Sequence, residues 1–436
     1  MAYLGRGLDK ISNIEVLDNI TFDGSSSYSI TKGSVAFTPN SAQSLLISID
    51  GVVQATNFTV SSSTIDFGVA VPSTSTCDFF LHYGTGVMTV PSDGSVTTAK
   101  LGDDAVTTNK LAYNPNPHRN IIINGDMSIA QRGTSFSSIS SGSANYGVDR
   151  FKFEVSSLGT WTVSQETDVP TGQGFAKSLK LDCTTADASP SADDLIVLTH
   201  NIEGQNLQYL KKGTSNAESL TASFWVKSNK TGTYIAELKD VDNNRTINKS
   251  YTINSSNTWE KKTITYDGDT TGTLDNDNGK SFQLNFWLGG GSNWTSGTLQ
   301  TSWGSSTQAN RQVGQVNLAD STSNEWYITG VQLEAGTTAS DFEFLPTDVN
   351  LRRCQRYYFK SSTFCIARGY GSYGEAQHIF PATMRATPTI TGSTVQSGAS
   401  NSNVSGQDTG IRIYAQFGTG TINYYGLENY KADAEL

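Results

Sequence analysis

The sequence predicts an all-β protein: β-sandwich domains joined by a short intertwined neck where several chains meet, most simply three, giving an elongated homotrimer. Three observations predict it. Helical periodicity is scarce along the 436 residues, whereas apolar and polar residues alternate in many short runs, the period of a half-buried strand. Ser, Thr, Asn and Gly are abundant, while 16% of residues are charged and 10% aromatic, so packed cores are feasible beneath polar, uncharged surfaces. Third, Val96-Thr97-Thr98-Ala99-Lys100-Leu101 is echoed by Val106-Thr107-Thr108-Asn109-Lys110-Leu111, with five of six positions identical. The apolar residues of this neck, Val96, Leu101, Val106 and Leu111, recur every five positions, which fits neither helix nor strand. A lone chain so poor in apolar residues does not offset the entropy of ordering the segment; copies sharing a Val/Leu axis do. The plainer alternative is a solvated linker.

The length suggests about three domains. Residues 1–85 read as an N-terminal β-domain. Asp50-Gly51 between Leu45–Ile49 and Val52–Gln54 is a two-residue hairpin signal, and Ile65, Phe67, Val69 and Val71 alternate as a strand does. The neck and linker cover 86–118 and end at Pro115 and Pro117, which resist helix and sheet alike. Residues 119–347 read as one large sandwich. Phe282, Leu284, Phe286 and Leu288 share one strand face, and Ser281, Gln283, Asn285 and Trp287 the other. Residues 348–436 open with a short helix over Val349–Tyr357 and continue as a small C-terminal β-domain, although no sustained alternation surrounds Thr389-Ile390-Thr391.

A formal charge of −10 argues against a nucleic-acid partner, which needs clustered Lys and Arg. Cys77, Cys183, Cys354 and Cys365 have no CxxC spacing and read as isolated thiols. No apolar run approaches the roughly 18 residues of a membrane span, and residues 1–10 lack a signal-peptide core. The expectation is a chain made in a cytoplasm and released by another route. The four histidines show neither metal spacing nor a nucleophile context, so no catalytic residues are assigned. Asp240-Val-Asp242-Asn-Asn244 and Asp275-Asn-Asp277-Asn-Gly279 lack the later ligands of a calcium loop and read as turns. Gly369 to Gly374 matches G-x-G-x-x-G, but no crossover helix follows, so it reads as a Gly/Tyr loop.

Several stretches, taken in order, resemble bacteriophage tail fibre proteins of the marine or cyanophage type. They are Met1-Ala-Tyr-Leu-Gly-Arg-Gly-Leu-Asp9 and the V-T-x-x-K-L repeats; Asn120-Ile-Ile-Ile-Asn-Gly-Asp126 with Gln131-Arg-Gly133; Ser223-Phe-Trp-Val-Lys227; Thr258-Trp-Glu-Lys261; Gly330-Val-Gln-Leu-Glu-Ala-Gly336; Cys354-Gln-Arg-Tyr-Tyr358; Phe380-Pro381 with Met384-Arg-Ala-Thr-Pro388; and the closing Ala432-Asp-Ala-Glu-Leu436. The resemblance implies a homotrimeric virion fibre with a carbohydrate-binding-like jelly roll at 119–347 and a tip at 348–436. Its N-terminal domain would dock on phage tail or adaptor proteins, and its distal parts would bind host polysaccharide or lipopolysaccharide. It implies no membrane insertion and no cofactor beyond a structural calcium, for which Asp126 and Asp341 are the matching positions. Two side chains fall short of the six to eight oxygens calcium takes, and surface carboxylates are the plainer reading.

A sugar offers C–H faces to aromatic rings and hydroxyl edges to amides. Trp287 with Gln283 and Asn285 provides that set on one strand face, with Trp225 on a neighbouring strand as a further candidate. Trp294 and Trp303 in the Gly/Ser-rich stretch 289–306, and Tyr370 and Tyr373 in the Gly/Tyr loop, complete the carbohydrate-binding candidates. Each ring has a plainer reading as core filling, loop plug or idle loop. The function expected is a non-enzymatic adhesin. A head or collar fibre without receptor role and a glycan-depolymerising tailspike are the alternatives.

Overall fold

A computed structural model describes residues 12–55, 57–85, 96, 118–141, 144–362, 365–369, 371–419 and 423–436. The chain forms two compact units, Met1–Ala105 and Val106–Leu436. Of the neck ladder, Leu101, Val106 and Leu111 lie outside the described residues, and Val96 is exposed in the single chain. Among the described residues no helix is long and apolar enough to cross a membrane.

The first unit holds β1 (Ser12–Val16), β2 (Ser27–Ser29), β3 (Thr31–Lys32), β4 (Val35–Ala36), β5 (Leu45–Ile49), β6 (Val52–Gln54), β7 (Thr59–Ser61), β8 (Thr64–Asp66) and β9 (Cys77–Thr85). Its main sheet has the order β1-β9-β5-β6. Asp50 and Gly51 both take positive φ, so β5 and β6 form the tight hairpin that Asp-Gly predicts. One sheet face buries Leu45, Ile47 and Phe80 with Phe22, Ile30 and Ile65. The registers Ile14↔Tyr83, Val16↔Leu81, Leu46↔Leu81 and Ser48↔Val53 put a second apolar row on the opposite face, where Ile14, Val16, Val53 and Tyr83 are exposed.

The second unit begins with a sandwich of β10 (Ser135–Ile139), β11 (Ala144–Val148), β12 (Phe151–Ser156), β13 (Thr160–Glu166), β14 (Ser178–Thr185), β15 (Leu195–Glu203), β16 (Leu220–Ser228), β17 (Gly232–Asp240), β18 (Arg245–Ile253), β19 (Glu260–Tyr266), β20 (Lys280–Gly290), β21 (Gly304–Ser305) and β22 (Glu325–Ala335). One antiparallel sheet runs β10-β13-β14-β22-β16-β19 and the other β11-β12-β15-β20-β17-β18-β21. From β14 to β17 each strand crosses to the opposite sheet, the crossing pattern of a jelly roll. The alternation read from 282–288 holds: Phe282, Leu284, Phe286 and Leu288 join a core that also buries Trp161, Phe224, Tyr234 and Trp326.

A short α1 (Ser292–Thr295) lies in the long β20–β21 connection, and α2 (Thr347–Gln355) follows β22, two residues earlier than the predicted helix. Two small sheets come next, built from β23 (Tyr358–Lys360), β24 (Cys365–Gly369), β25 (Tyr373–Ile379), β26 (Thr389–Ser397), β27 (Ala399–Gln407), β28 (Gly410–Phe417) and β29 (Asn423–Asp433). β26 buries almost none of its side chains, so no alternation marked it. This part was expected as a separate tip but shares one compact unit with the sandwich. The physical reason is charge pairing. Fully buried Arg150 binds Glu435, donates to the Asn201 carbonyl at 2.7 Å and lies 3.4 Å from the Tyr357 ring centre. Arg132 stacks on Tyr358, and Asn201 donates to the Leu436 carbonyl, so the closing residues pack back on the sandwich.

Candidate functional site

A cleft of about 350 Å³ in the second unit gathers aromatic, amide and charged groups within three walls. The first is the end of β15 and the two 3₁₀ turns after it, Gly204–Asn206 and Gln208–Leu210. Leu207 and Leu210 anchor these turns in the core, which turns Gln205, Asn206 and Tyr209 outward; Tyr209 is 50% exposed. Gly204 is required here, since a Cβ would lie 2.0 Å from the Asp275 carbonyl oxygen.

The second wall is the segment 118–123. The Glu343 carboxylate fixes it by accepting the backbone N–H of His118 at 2.7 Å and of Asn120 at 2.9 Å. Asn120 in turn accepts the N–H of Ile122 and Leu333. The third wall is α2. Its inner side is held by Asn350, which donates to Asp126 and Ser128 and accepts from the Asn124 N–H. Arg352, Arg353 and Arg356 follow at i,i+3 and i,i+4 spacing, with Arg353 one turn on from Asn350 and Arg356 at the C-cap. Arg353 and Arg356 line the cleft, and all three line an adjoining groove with Asp348, Val349, Ala382 and Thr383.

Glu203 is the sole carboxylate among the described residues lining the cleft. It is buried and held by two 2.8 Å bonds from the Arg356 guanidinium. Burial alone would raise its pKa, but the bonds from Arg356, Tyr357 and Gln205 outweigh it and hold the carboxyl below its usual range. Burial, then the charge of Arg150, keep His200 neutral, well below the ordinary imidazole range. Its Nε2 meets the backbone of Ile123, while its buried Nδ1 has no partner among the described residues. The cleft therefore offers a tyrosine ring, amides, the imidazoles of His118 and His200, and guanidinium groups.

The face predicted for sugar is not open. Gln283, Asn285 and Trp287 do point away from the core, but the connection 291–316 closes over them by bonding β17 and β18 through Val316, Gln300 and Asn248. Asn285 and Trp287 are each 3% exposed. Both donate to Glu237, which is fully buried and also clamped by Arg311 through two 2.7 Å bonds. Trp294 is half-buried against Trp287 and stacks on Arg311, so it plugs the cover. Gln283 bonds Asn201. Trp303 stacks on Phe282 and donates to the Asp267 carbonyl, which fixes it as a pin. Trp225 lies on β16, hence in the opposite sheet from Trp287, and the two cannot share a site.

Tyr373 is exposed at the start of β25, and Tyr370 lies outside the described residues. The Asp126 carboxylate is engaged by Asn350 and Asp341 is exposed. Among the described residues no three side chains of Asp, Glu, His or Cys gather as metal ligands, at Asp126 and Asp341 or elsewhere. The sequence reading missed Tyr209, His200 and Arg353. Only the 352/353/356 spacing could have signalled the cleft.

No family model matches the chain, and no curated protein sequence is detectably similar. Solved structures overlap with about half of it. The enzymatically active domain of tailspike protein 4 of bacteriophage CBA120 shares 14% identity over 50% of this chain and 22% of its own, with a TM-score of 0.27. The chain thus spans about a fifth of that domain's length. A putative sugar binding protein from Bacteroides thetaiotaomicron shares 11% identity over 50% of this chain and 99% of its own, at 0.27. A family 11 carbohydrate-binding module from Clostridium thermocellum, in complex with a β-1,3-1,4-mixed-linked tetrasaccharide, shares 11% over 48% and 99%, at 0.23. Overlap at these scores carries no argument about this chain.

Proposed function

We propose that the protein is a non-enzymatic, self-associating adhesin that binds host surface polysaccharide or lipopolysaccharide through the cleft of its second unit, as a phage tail fibre does. The observation that carries the binding reading is the cleft itself: Asn206, Gln205, Arg353 and the exposed Tyr209 line it together, on walls held by hydrogen bonds. A ring for the C–H face and amides for the hydroxyl edge suit a sugar. The fibre role and the place on a virion made in a host cytoplasm rest on the ordered sequence resemblances.

Self-association is supported by the neck ladder and by the exposed apolar row of the β1-β9-β5-β6 sheet, since solvated monomers rarely leave such a face open. Linking several weak sugar sites raises avidity by roughly 10²–10⁴ without new contacts. Hydrolysis of a glycan commonly uses two carboxylates about 5–9.5 Å apart, and the described residues lining the cleft include one, Glu203, already tied to Arg356. The test is to incubate the intact protein with envelope polysaccharide. Retention on the polysaccharide without new reducing ends is expected, and release of reducing ends would overturn the non-enzymatic reading. Light scattering should give about three times the 46.9 kDa chain mass, and a single-chain mass at micromolar concentration would remove the fibre reading.

A further inference from the structure

Arginine is costly to bury without an anion, because its charge loses water and gains nothing in return. Arg353 is partly buried where the cleft and the adjoining groove meet, and it lines both. Among the described residues it makes no ion pair, and its one hydrogen bond is a 3.5 Å contact to the Asn120 carbonyl. Arg356, three residues on, shows the contrast, since Glu203 satisfies it with two short bonds. Glu343 attracts Arg353 from beyond ion-pair distance, but its oxygens are already taken by the N–H groups of His118 and Asn120. Burial accordingly presses the guanidinium below its usual pKa. Arg352 stands exposed at the mouth of the groove, also without an ion pair among the described residues. Asp348 is the carboxylate among the described residues lining the groove and lies exposed in the first turn of α2, four residues before Arg352. Two arginines without an ion pair among the described residues, on a chain of net charge −10, mark a local feature rather than a sample of the average surface.

We propose that the ligand of this cleft is an acidic glycan, whose anionic group, a uronate carboxylate or a sugar phosphate, is held by the Arg353 fork with Arg352 at the entrance. The planar guanidinium matches both anions with two parallel N–H bonds. Tyr209 lines the same cleft and offers the ring face, and Asn206 and Gln205 the hydroxyl partners. The inference rests on the reading of the cleft as a glycan site and names the class of glycan it takes.

The test is calorimetric titration of the intact protein with three probes of equal length: a galacturonate tetrasaccharide, a phosphorylated manno-oligosaccharide and neutral cellotetraose. Stronger binding of either acidic probe than of the neutral one is expected, and the two acidic arms separate carboxylate from phosphate. Arg353→Gln should weaken the acidic probe roughly ten- to a hundredfold, the loss of a charge-assisted pair, with Arg353→Lys between the two. Because Arg353 also touches the 118–120 wall, Arg352→Gln is the second variant. It lies on the surface, should leave the melting temperature unchanged and should weaken the acidic probe severalfold. Raising the salt from 50 to 500 mM should weaken acidic binding in the parent protein. Equal or better binding of the neutral probe, unchanged in both variants, would overturn the acidic assignment and leave the glycan reading standing. Binding of none of the three would overturn both.

Discussion

The covered polar face makes a quantitative claim about stability. Glu237 is fully buried, and its carboxylate accepts from Arg311 twice and from Asn285 and Trp287. Arg311→Met keeps the volume above Trp287 and Trp294 but removes both guanidinium bonds and the counter-charge. Two charge-assisted bonds at about 1.5–3 kcal/mol each, and a buried anion left without its cation, both point to a loss of about 3–5 kcal/mol. For a unit of this size that corresponds to a fall in Tm of about 4–7 °C. Urea unfolding followed by tryptophan fluorescence is the assay, because two rings flank the mutated side chain. Adding Glu237→Gln to Arg311→Met should recover much of the loss, since no charge then stays buried alone. Glycan binding should be unchanged in every folded variant, as this face is closed. A loss below about 1 kcal/mol in the single variant would refute the claim that the ion pair holds the 291–316 cover in place.

Three further outcomes follow from the geometry. Tyr209→Ala should lower glycan affinity about tenfold or more while changing stability by less than about 0.5 kcal/mol, because half of the ring faces solvent; calorimetry and a melting curve read the two effects. Glu435→Gln should strand Arg150 and cost about 3 kcal/mol or more, seen as faster limited proteolysis of residues 348–436; equal digestion rates would mean that the joint does not depend on this pair. The third concerns pH. His200 is held neutral when folded and takes a proton below about pH 6.5 when unfolded, so its contribution is complete above that pH and is lost as pH falls, by up to about 1.4 kcal/mol per pH unit. Asp149, pushed up to about 6 by burial, acts in the opposite sense: the cost of burying its charge is relieved as pH falls through that value. The decisive quantity is therefore the difference in slope between parent and His200→Asn over pH 6.5 to 4.5, with a shallower acid loss expected in the variant and equal slopes contradicting the assignment.

The fold was legible where burial alternates and dark where it does not. Phe282 to Leu288 declared both faces of β20, and Asp50-Gly51 declared its hairpin, because period and turn chemistry are local. β26, with its side chains in solvent, gave no periodic signal. The site was dark for a different reason. An outward polar strand face with a Trp looks the same in sequence whether it meets solvent or a cover, and the cover here arrives from 291–316, held by bonds to β17 and β18 and by Arg311. Trp225 and Trp287 were separated by a sheet crossing that no spacing reveals. The cleft joins residues 118–123, 200–209 and 353–357, so its geometry exists only once the closing residues and Asn350 have docked. Of its parts, the arginine spacing on α2 was readable, but the absence of a partner for Arg353 belongs to the folded chain.

Hydrogen–deuterium exchange of the intact protein, with and without envelope polysaccharide that it retains, tests the location of binding most directly. Slower exchange over residues 203–210 and 348–357, with the strands around Trp225 and Trp287 unchanged, is the predicted result. Protection confined to β16, β20 or the β24–β25 loop, with 203–210 and 348–357 unaffected, would contradict the assignment of the cleft.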